Sequence, residues 1–192
     1  MKLTPQLLLS AYCQGIFPMA HDDGIYWYDP NPRAIIPLDT FHVPRRLGRT
    51  IRNGGFEVRI DYDFRRVMEA CAAPGPNRDG TWISSEFVDV YTELHELGFA
   101  HSVETWRDDV LVGGLYGVAI RGLFAGESMF SRETDASKVA LVHLVERLRR
   151  GGFLLLDTQF VTEHLARFGA YEISRAEYKV RLAQALHVEA VF

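Results

Sequence analysis

The sequence predicts an α/β (α+β) fold: a mixed sheet flanked by helices, with a small N-terminal lobe. Two observations carry this. From about residue 56 onward, strand-like and helix-like segments alternate, and those between residues 100 and 126 are separated only by tight turns. The first 40 residues follow neither pattern and are dense in aromatic residues and proline.

Taken in order, residues 3–12 form a short apolar helix that runs into Gly15-Ile16-Phe17-Pro18. The stretch Ile25-Tyr26-Trp27-Tyr28-Asp29-Pro30-Asn31-Pro32-Arg33 follows. Each proline fixes its own φ and pushes its predecessor toward extended backbone. Linkers are poor in Trp and Tyr, so residues 1–40 read as an ordered irregular lobe. Residues 56–61 read as a strand and 64–73 as a helix, with Asp61 or Asp63 as N-cap. Pro74-Gly75-Pro76 and Asp79-Gly80 mark a loop over residues 71–81. A helix over 86–97 opens at Ser84-Ser85 and stops at Gly98. Phe87, Val90, Tyr91, Leu94 and Leu97 share one of its faces. Strands over 100–106, 110–120 and 123–126 form an antiparallel meander, turned at Asp108-Asp109 and Arg121-Gly122. The helix over 136–150, capped by Thr134 or Asp135, is apolar on most sides and therefore buried. A strand over 153–157, a short helix over 162–168 and a last helix opened by the capping box Ser174-x-x-Glu177 complete the chain. This order is that of an acetyltransferase-like domain, expected over residues 41–192.

Composition sets outer bounds. The chain has 192 residues, 47% apolar and 24% charged, enough to bury a core without staples. Its net charge of −4 requires any basic surface for nucleic acid to be gathered locally. Cys13 and Cys71 match no metal or redox spacing, and the seven histidines show no paired ligand spacing, so no metal is expected. No apolar run approaches the roughly 18 residues of a membrane span, and residues 1–10 do not resemble a signal peptide. The expectation is a cytoplasmic protein without a cofactor, a monomer by default.

Asp157 and Gln159 stand at i and i+2 on a strand, so both side chains point to one face at its end, where they can hydrogen-bond. Strand ends are usual places for sites in α/β folds; an Asp there also serves as a turn cap. Arg45, Arg49 and Arg52, at i, i+4 and i+7, lie on one face of a helix if this segment is helical, with Arg46 adjacent and Pro44 at the first position. Guanidiniums so placed bind phosphates without reading sequence; the same face also reads as simply solvated.

Three stretches are unusually dense in special residues: residues 15–18 with Trp27-Tyr28-x-Pro-x-Pro-Arg33; residues 111–119 running on to Gly126-Glu127-Ser128-Met129-Phe130-Ser131-Arg132 and Ala136-Ser137-Lys138; and Leu156-Asp157-Thr158-Gln159 with His164-Leu165 and Gly169-Ala170. On these, the sequence resembles the leucyl/phenylalanyl-tRNA–protein transferase family from about residue 8 to 175. The resemblance implies transfer of Leu, Phe or Met from aminoacyl-tRNA to an acceptor protein with N-terminal Arg or Lys, by aminolysis of an already activated ester, in the N-degron degradation pathway. It implies that Asp157 and Gln159 act on the acceptor amine. A glutamine amide is too weak a base to take the proton, so Gln159 would orient the amine while Asp157 polarises it. Glu127 is implied to hold the donor's α-ammonium. The donor side chain is implied to fill a pocket of Leu115, Phe124, Gly126, Ser128, Met129, Leu141, Leu144, Leu148 and Leu156. The same residues would also suit ordinary core. Tyr12, Met19, Trp82 and Tyr91 are expected against the terminal adenosine, Trp82 and Tyr12 foremost, with Tyr91 equally suited to the core.

Two rival readings are weaker. A CoA-dependent N-acyltransferase needs a glycine-rich pyrophosphate turn, whereas residues 131–138 contain no glycine and carry Glu133 and Asp135. A non-catalytic RNA-binding module leaves Glu127, Asp157 and Gln159 at strand ends unexplained. An acyl-enzyme on Ser128 has no evident histidine partner.

Overall fold

The computed structural model describes residues 3–74 and 81–192. Helix α1 (Pro5–Cys13) begins at Thr4, whose side chain accepts from the Leu7 N–H, with Pro5 in the first turn. A hairpin of β1 (Phe17–His21) and β2 (Gly24–Tyr28) follows as its own two-stranded sheet. Next come β3 (Arg33–Ile36), α2 (Arg45–Arg52), β4 (Glu57–Ile60), α3 (Phe64–Ala72) and α4 (Ser85–Glu96). The meander is β5 (Ala100–Arg107), β6 (Val110–Ile120) and β7 (Leu123–Ser131). After it come α5 (Ala136–Gly151), β8 (Leu155–Gln159), α6 (Glu163–Ala166), β9 (Tyr171–Ile173) and α7 (Arg175–Leu186).

The large sheet runs β4-β5-β6-β7-β8-β3-β9. All its neighbours are antiparallel except β7 and β8, which are parallel. One core cluster gathers residues of α1, α3 and α4, including Tyr12, Phe87 and Tyr91, with Tyr116. Another gathers Val139, Leu141, Leu144 and Leu148 of α5 with Leu115, Phe124 and Leu156 of the sheet. The structure has the mixed sheet flanked by helices that the element order predicts.

Two features of β7 make the site. It pairs with β8 for three residues only, Leu123↔Leu155 to Ala125↔Asp157, yet continues beside β6 to Ser131. Beyond Ala125 the two strands therefore part and a cleft opens. The second feature is a bulge: Gly117 pairs with Gly126 and Tyr116 with Ser128, so Glu127 is the extra residue. Gly117 is required there, because a Cβ would come within 2.4 Å of both the Ala125 carbonyl oxygen and the Phe124 ring.

Several boundaries differ from those the sequence suggests. The third meander strand runs on past residue 126, so Glu127 lies within a strand, at the bulge. The strand expected over 153–157 is shifted to Leu155–Gln159, and the helix after it is a single turn capped by Thr162. Of the two candidate caps of α3 it is Asp63 that accepts from the Arg66 N–H. Asp135 occupies the N-cap of α5 but makes no capping bond; its carboxylate pairs with Lys138 at 2.6 Å. Leu97 ends α4 and is exposed. Most of the loop motif Pro74-Gly75-Pro76 and Asp79-Gly80 lies outside the described residues. β3, which falls within residues 1–40, is inserted in the large sheet and paired on both edges.

That insertion is fixed by one buried ion pair. Arg33 (1% exposed) places Nε 2.9 Å and Nη2 2.6 Å from the two oxygens of Asp157 (0% exposed) on β8. Arg33 Nη1 donates to the Gly15 carbonyl, and the guanidinium lies over the rings of Phe17 and Tyr178. Removing one member of such a pair strands the other charge away from water, at a cost of about 3–5 kcal/mol. Asp157→Asn is therefore expected to lose about that much stability in urea unfolding, and Arg33→Met with Asp157→Leu to recover a good part of it.

Candidate active site in the cleft between the parting strands

The cleft holds a cavity of about 310 Å³, at the small end of small-molecule sites. Leu115, Met129, Leu141, Leu144, Leu156 and Leu165 supply its apolar lining. Gly126, Glu127, Ser128, Thr158 and Gln159 bring backbone and polar groups to it, and Tyr116, Phe160, Thr162 and His164 complete it. Eight of the ten residues expected around the donor group line this cavity. Phe124 and Leu148 do not. Phe124 sits where β7 and β8 are still paired, stacked on Phe192 at 5.4 Å with Phe153 beside it. Leu148 lies one turn beyond Leu144, towards the sealed end, and is fully buried.

Glu127 is the acid lining the cavity among the described residues. Gln159 Nε2 lies 3.4 Å from its Oε1, and the Tyr12 hydroxyl hydrogen-bonds to the carboxyl. Burial pushes this carboxyl up to about 8; Tyr12's hydrogen bond pulls against the rise, nearby Asp157 adds to it, and Arg33 opposes it. Tyr12 in turn lies 2.6 Å from the Tyr91 hydroxyl. Tyr12 and Tyr91 are 2% and 0% exposed, so neither presents a face to a nucleobase. Their expected stacking role is corrected to one beneath the site: burial raises both phenols well above their usual range and keeps them protonated donors. Trp82 is half-buried, edge-on to Phe87 at 5.8 Å, and its carbonyl accepts from the Ala20 N–H of β1, beside half-buried Met19.

Asp157 and Gln159 do not form the expected side-chain pair. Asp157 Oδ1 accepts from Arg33 Nε and from the Gln159 N–H, each at 2.9 Å, and Oδ2 accepts from Arg33 Nη2 and the Tyr178 hydroxyl. All four of its strong acceptor directions are used within the protein. Asp157 thus holds the backbone of Gln159, which adopts φ 59°, and the Gln159 side chain turns to Glu127 instead. The i, i+2 argument failed because Gln159 leaves the extended region at the last position of the strand.

Arg45, Arg49 and Arg52 are exposed along α2 at the expected spacing, with Pro44 as N-cap and not as the first helical residue. Sequence reasoning missed Arg33 and Tyr178 as the partners of Asp157. It also missed Tyr116, Thr158, Phe160 and Thr162 in the lining. Arg33 is 124 positions from Asp157, and no local pattern announces the pair.

The apolar cavity between the parting strands thus carries the Glu127 carboxyl and the Gln159 amide side by side at its polar side. A family model described as leucyl/phenylalanyl-tRNA protein transferase matches residues 35–183, and one for the N-terminal domain of the same transferase matches residues 1–31. A leucyl/phenylalanyl-tRNA–protein transferase of Herpetosiphon aurantiacus is 64% identical over 192 residues, spanning 100% of this chain and 98% of that one. The protein of the same name from Paramagnetospirillum magneticum is 58% identical over 193 residues, spanning 99% and 92%. Among solved structures, L-PGS from Bacillus licheniformis matches with a TM-score of 0.44 at 14% identity, over 79% of this chain and 51% of that one. The chain belongs to the leucyl/phenylalanyl-tRNA–protein transferase family.

The Glu127 carboxyl gives a stability signature. Between pH 4.5 and about 8 the folded protein retains a proton that the unfolded chain has released, so stability falls as pH rises through this window. Glu127→Gln removes the penalty while keeping an acceptor for Tyr12. In thermal scans the variant is expected to melt more than about 4 °C above the parent at pH 8.5, and alongside it near pH 4.5.

Proposed function

We propose that this chain is an aminoacyl-tRNA–protein transferase that moves Leu, Phe or Met from aminoacyl-tRNA onto the N-terminal Arg or Lys of an acceptor protein. The observation that carries this reading is the Glu127 carboxyl and Gln159 amide side by side against an apolar cavity. The donor side chain enters the cavity lined by Leu115, Met129, Leu141, Leu144 and Leu156, with Gly126 and Ser128 along its edge. The donor's α-ammonium meets Glu127, which ionises as the cation replaces the lost solvation. This leaves the ester carbonyl beside Gln159. The acceptor's free amine donates a hydrogen bond to the Gln159 amide oxygen and attacks the carbonyl with its lone pair. The new C–N bond forms, the C–O bond to the tRNA breaks, and the proton leaves with the ribose oxygen. The ester is already activated, so positioning supplies much of the rate. Asp157 serves as a positioning residue through the Gln159 backbone. Arg45, Arg49 and Arg52 meet tRNA phosphates, and Trp82 and Met19 flank the terminal base. The product, one residue longer, enters N-degron turnover in the cytoplasm. The enzyme acts as a monomer without a cofactor.

The direct test is transfer of radiolabelled Leu from Leu-tRNA to a peptide beginning with Arg, against free Leu as control. Transfer from the tRNA alone is expected. Gln159→Ala should lower kcat by about 100-fold, the scale of losing one transition-state hydrogen bond, and Glu127→Gln should mainly raise the donor KM. Absence of transfer from Leu-, Phe- and Met-tRNA to Arg- and Lys-started acceptors would refute the reading. A bulkier Leu144→Trp narrows the cavity and should reduce Phe transfer relative to Leu by about 10-fold or more.

A further inference from the structure

His164 on α6 stands where three hollows meet. It lines the apolar cavity, a groove of about 510 Å³ past Arg132, Ser137 and Lys138, and another of about 260 Å³ bounded by Arg46 and Arg167. Its ring packs edge-on to Phe168 at 5.4 Å, and its buried Nε2 has no hydrogen-bond partner. Such a nitrogen is unusual in a folded protein and marks a place where a ligand atom can complete the bonding. The surrounding charge indicates the sign of that ligand. Burial first, then the cations Lys138 and Arg167, hold the imidazole below its usual range, against a weaker opposing pull from Asp135. The nearby acids are already engaged at 2.6 Å each: Asp135 with Lys138, Glu133 with Arg107, and Glu163 with Arg167. Among the described residues, no carboxylate lies within ion-pair distance of Arg46 or Arg132.

We infer that this junction binds a phosphodiester of the donor's 3′ strand, held by Arg46, Arg167 and His164 Nε2–H, a site separate from the basic face of Arg45, Arg49 and Arg52. A single phosphodiester carries one charge and suits a rim whose acids are already paired, whereas a pyrophosphate would bring more charge against the same carboxylates. Arginine forks fit phosphate oxygens and fix the strand without reading its sequence. His164 lines the groove and the apolar cavity alike, so a phosphate held there registers the strand against the reacting ester. One helix, α2, then meets the RNA with two faces: Arg46 in the groove and the three other arginines in solvent.

The inference rests on the donor being tRNA, and the parent protein's transfer from Leu-tRNA tests that separately. The variant Arg46→Gln/Arg167→Gln alters two exposed side chains and is checked for an unchanged melting temperature. Three quantities are compared with the parent: KM for Leu-tRNA, and the inhibition constants of the trinucleotide CpCpA and of adenosine. The expected result is a roughly 10-fold rise in KM and in the CpCpA constant, with the adenosine constant unchanged. The slope of log KM against log salt should be shallower by about 0.7, the value for one single-strand phosphate. His164→Ala should reproduce the selective loss of CpCpA. Equal effects on CpCpA and adenosine would overturn the inference, as would no effect on either, or a rise confined to the acceptor's KM.

Discussion

The Arg33–Asp157 pair is the constraint around which the site is arranged. It joins β3 to β8, reaches the Gly15 carbonyl behind α1, and lies under the Phe17 and Tyr178 rings. Its carboxylate also receives the Gln159 N–H, which holds that residue in a left-handed conformation as the strand ends. A charge pair withdrawn from water seldom strengthens a fold relative to a well-packed apolar pair. Here it gives direction, because both oxygens and the guanidinium fork accept only one mutual orientation. The consequence is a Gln159 amide aimed across the cleft at Glu127.

Glu127 shows the opposite economy. It is placed by an irregularity, the β6–β7 bulge, and lies where burial opposes its charge. Tyr12, with Tyr91 behind it, supplies the hydrogen bond that keeps the carboxyl oriented while it remains largely protonated near neutral pH. A carboxyl in that state is primed for a cationic partner, since pairing relieves the cost that folding imposed. The opening that admits such a partner comes from β8, whose pairing with β7 ends at Asp157.

What the sequence made legible follows from how local each signal is. The meander, the α4 and α7 caps, the buried α5 and the arginine spacing of α2 rest on patterns within a dozen residues, and the structure contains them. Family resemblance selected most of the cavity lining from a pool of look-alike core residues. The misassignments share a cause in longer-range geometry. Tyr12 and Tyr91 carry aromatic faces suited to a base, but packing turns those faces inward. Phe124 and Leu148 have the right periodicity but lie on the closed side of the point where the strands part. The hydrogen bonds of Asp157 were not legible locally, because its arginine partner comes from β3, more than a hundred residues away.

The hydroxyl of Tyr12 and the carbonyl of Gly15 both come from the first 31 residues, the stretch that a family model treats as a domain of its own. One steadies the acid at the cavity, and the other steadies the arginine behind the glutamine. The N-terminal segment and the larger sheet are therefore not interchangeable modules. A chimaera that replaced the first 31 residues would exchange both of these contacts at once.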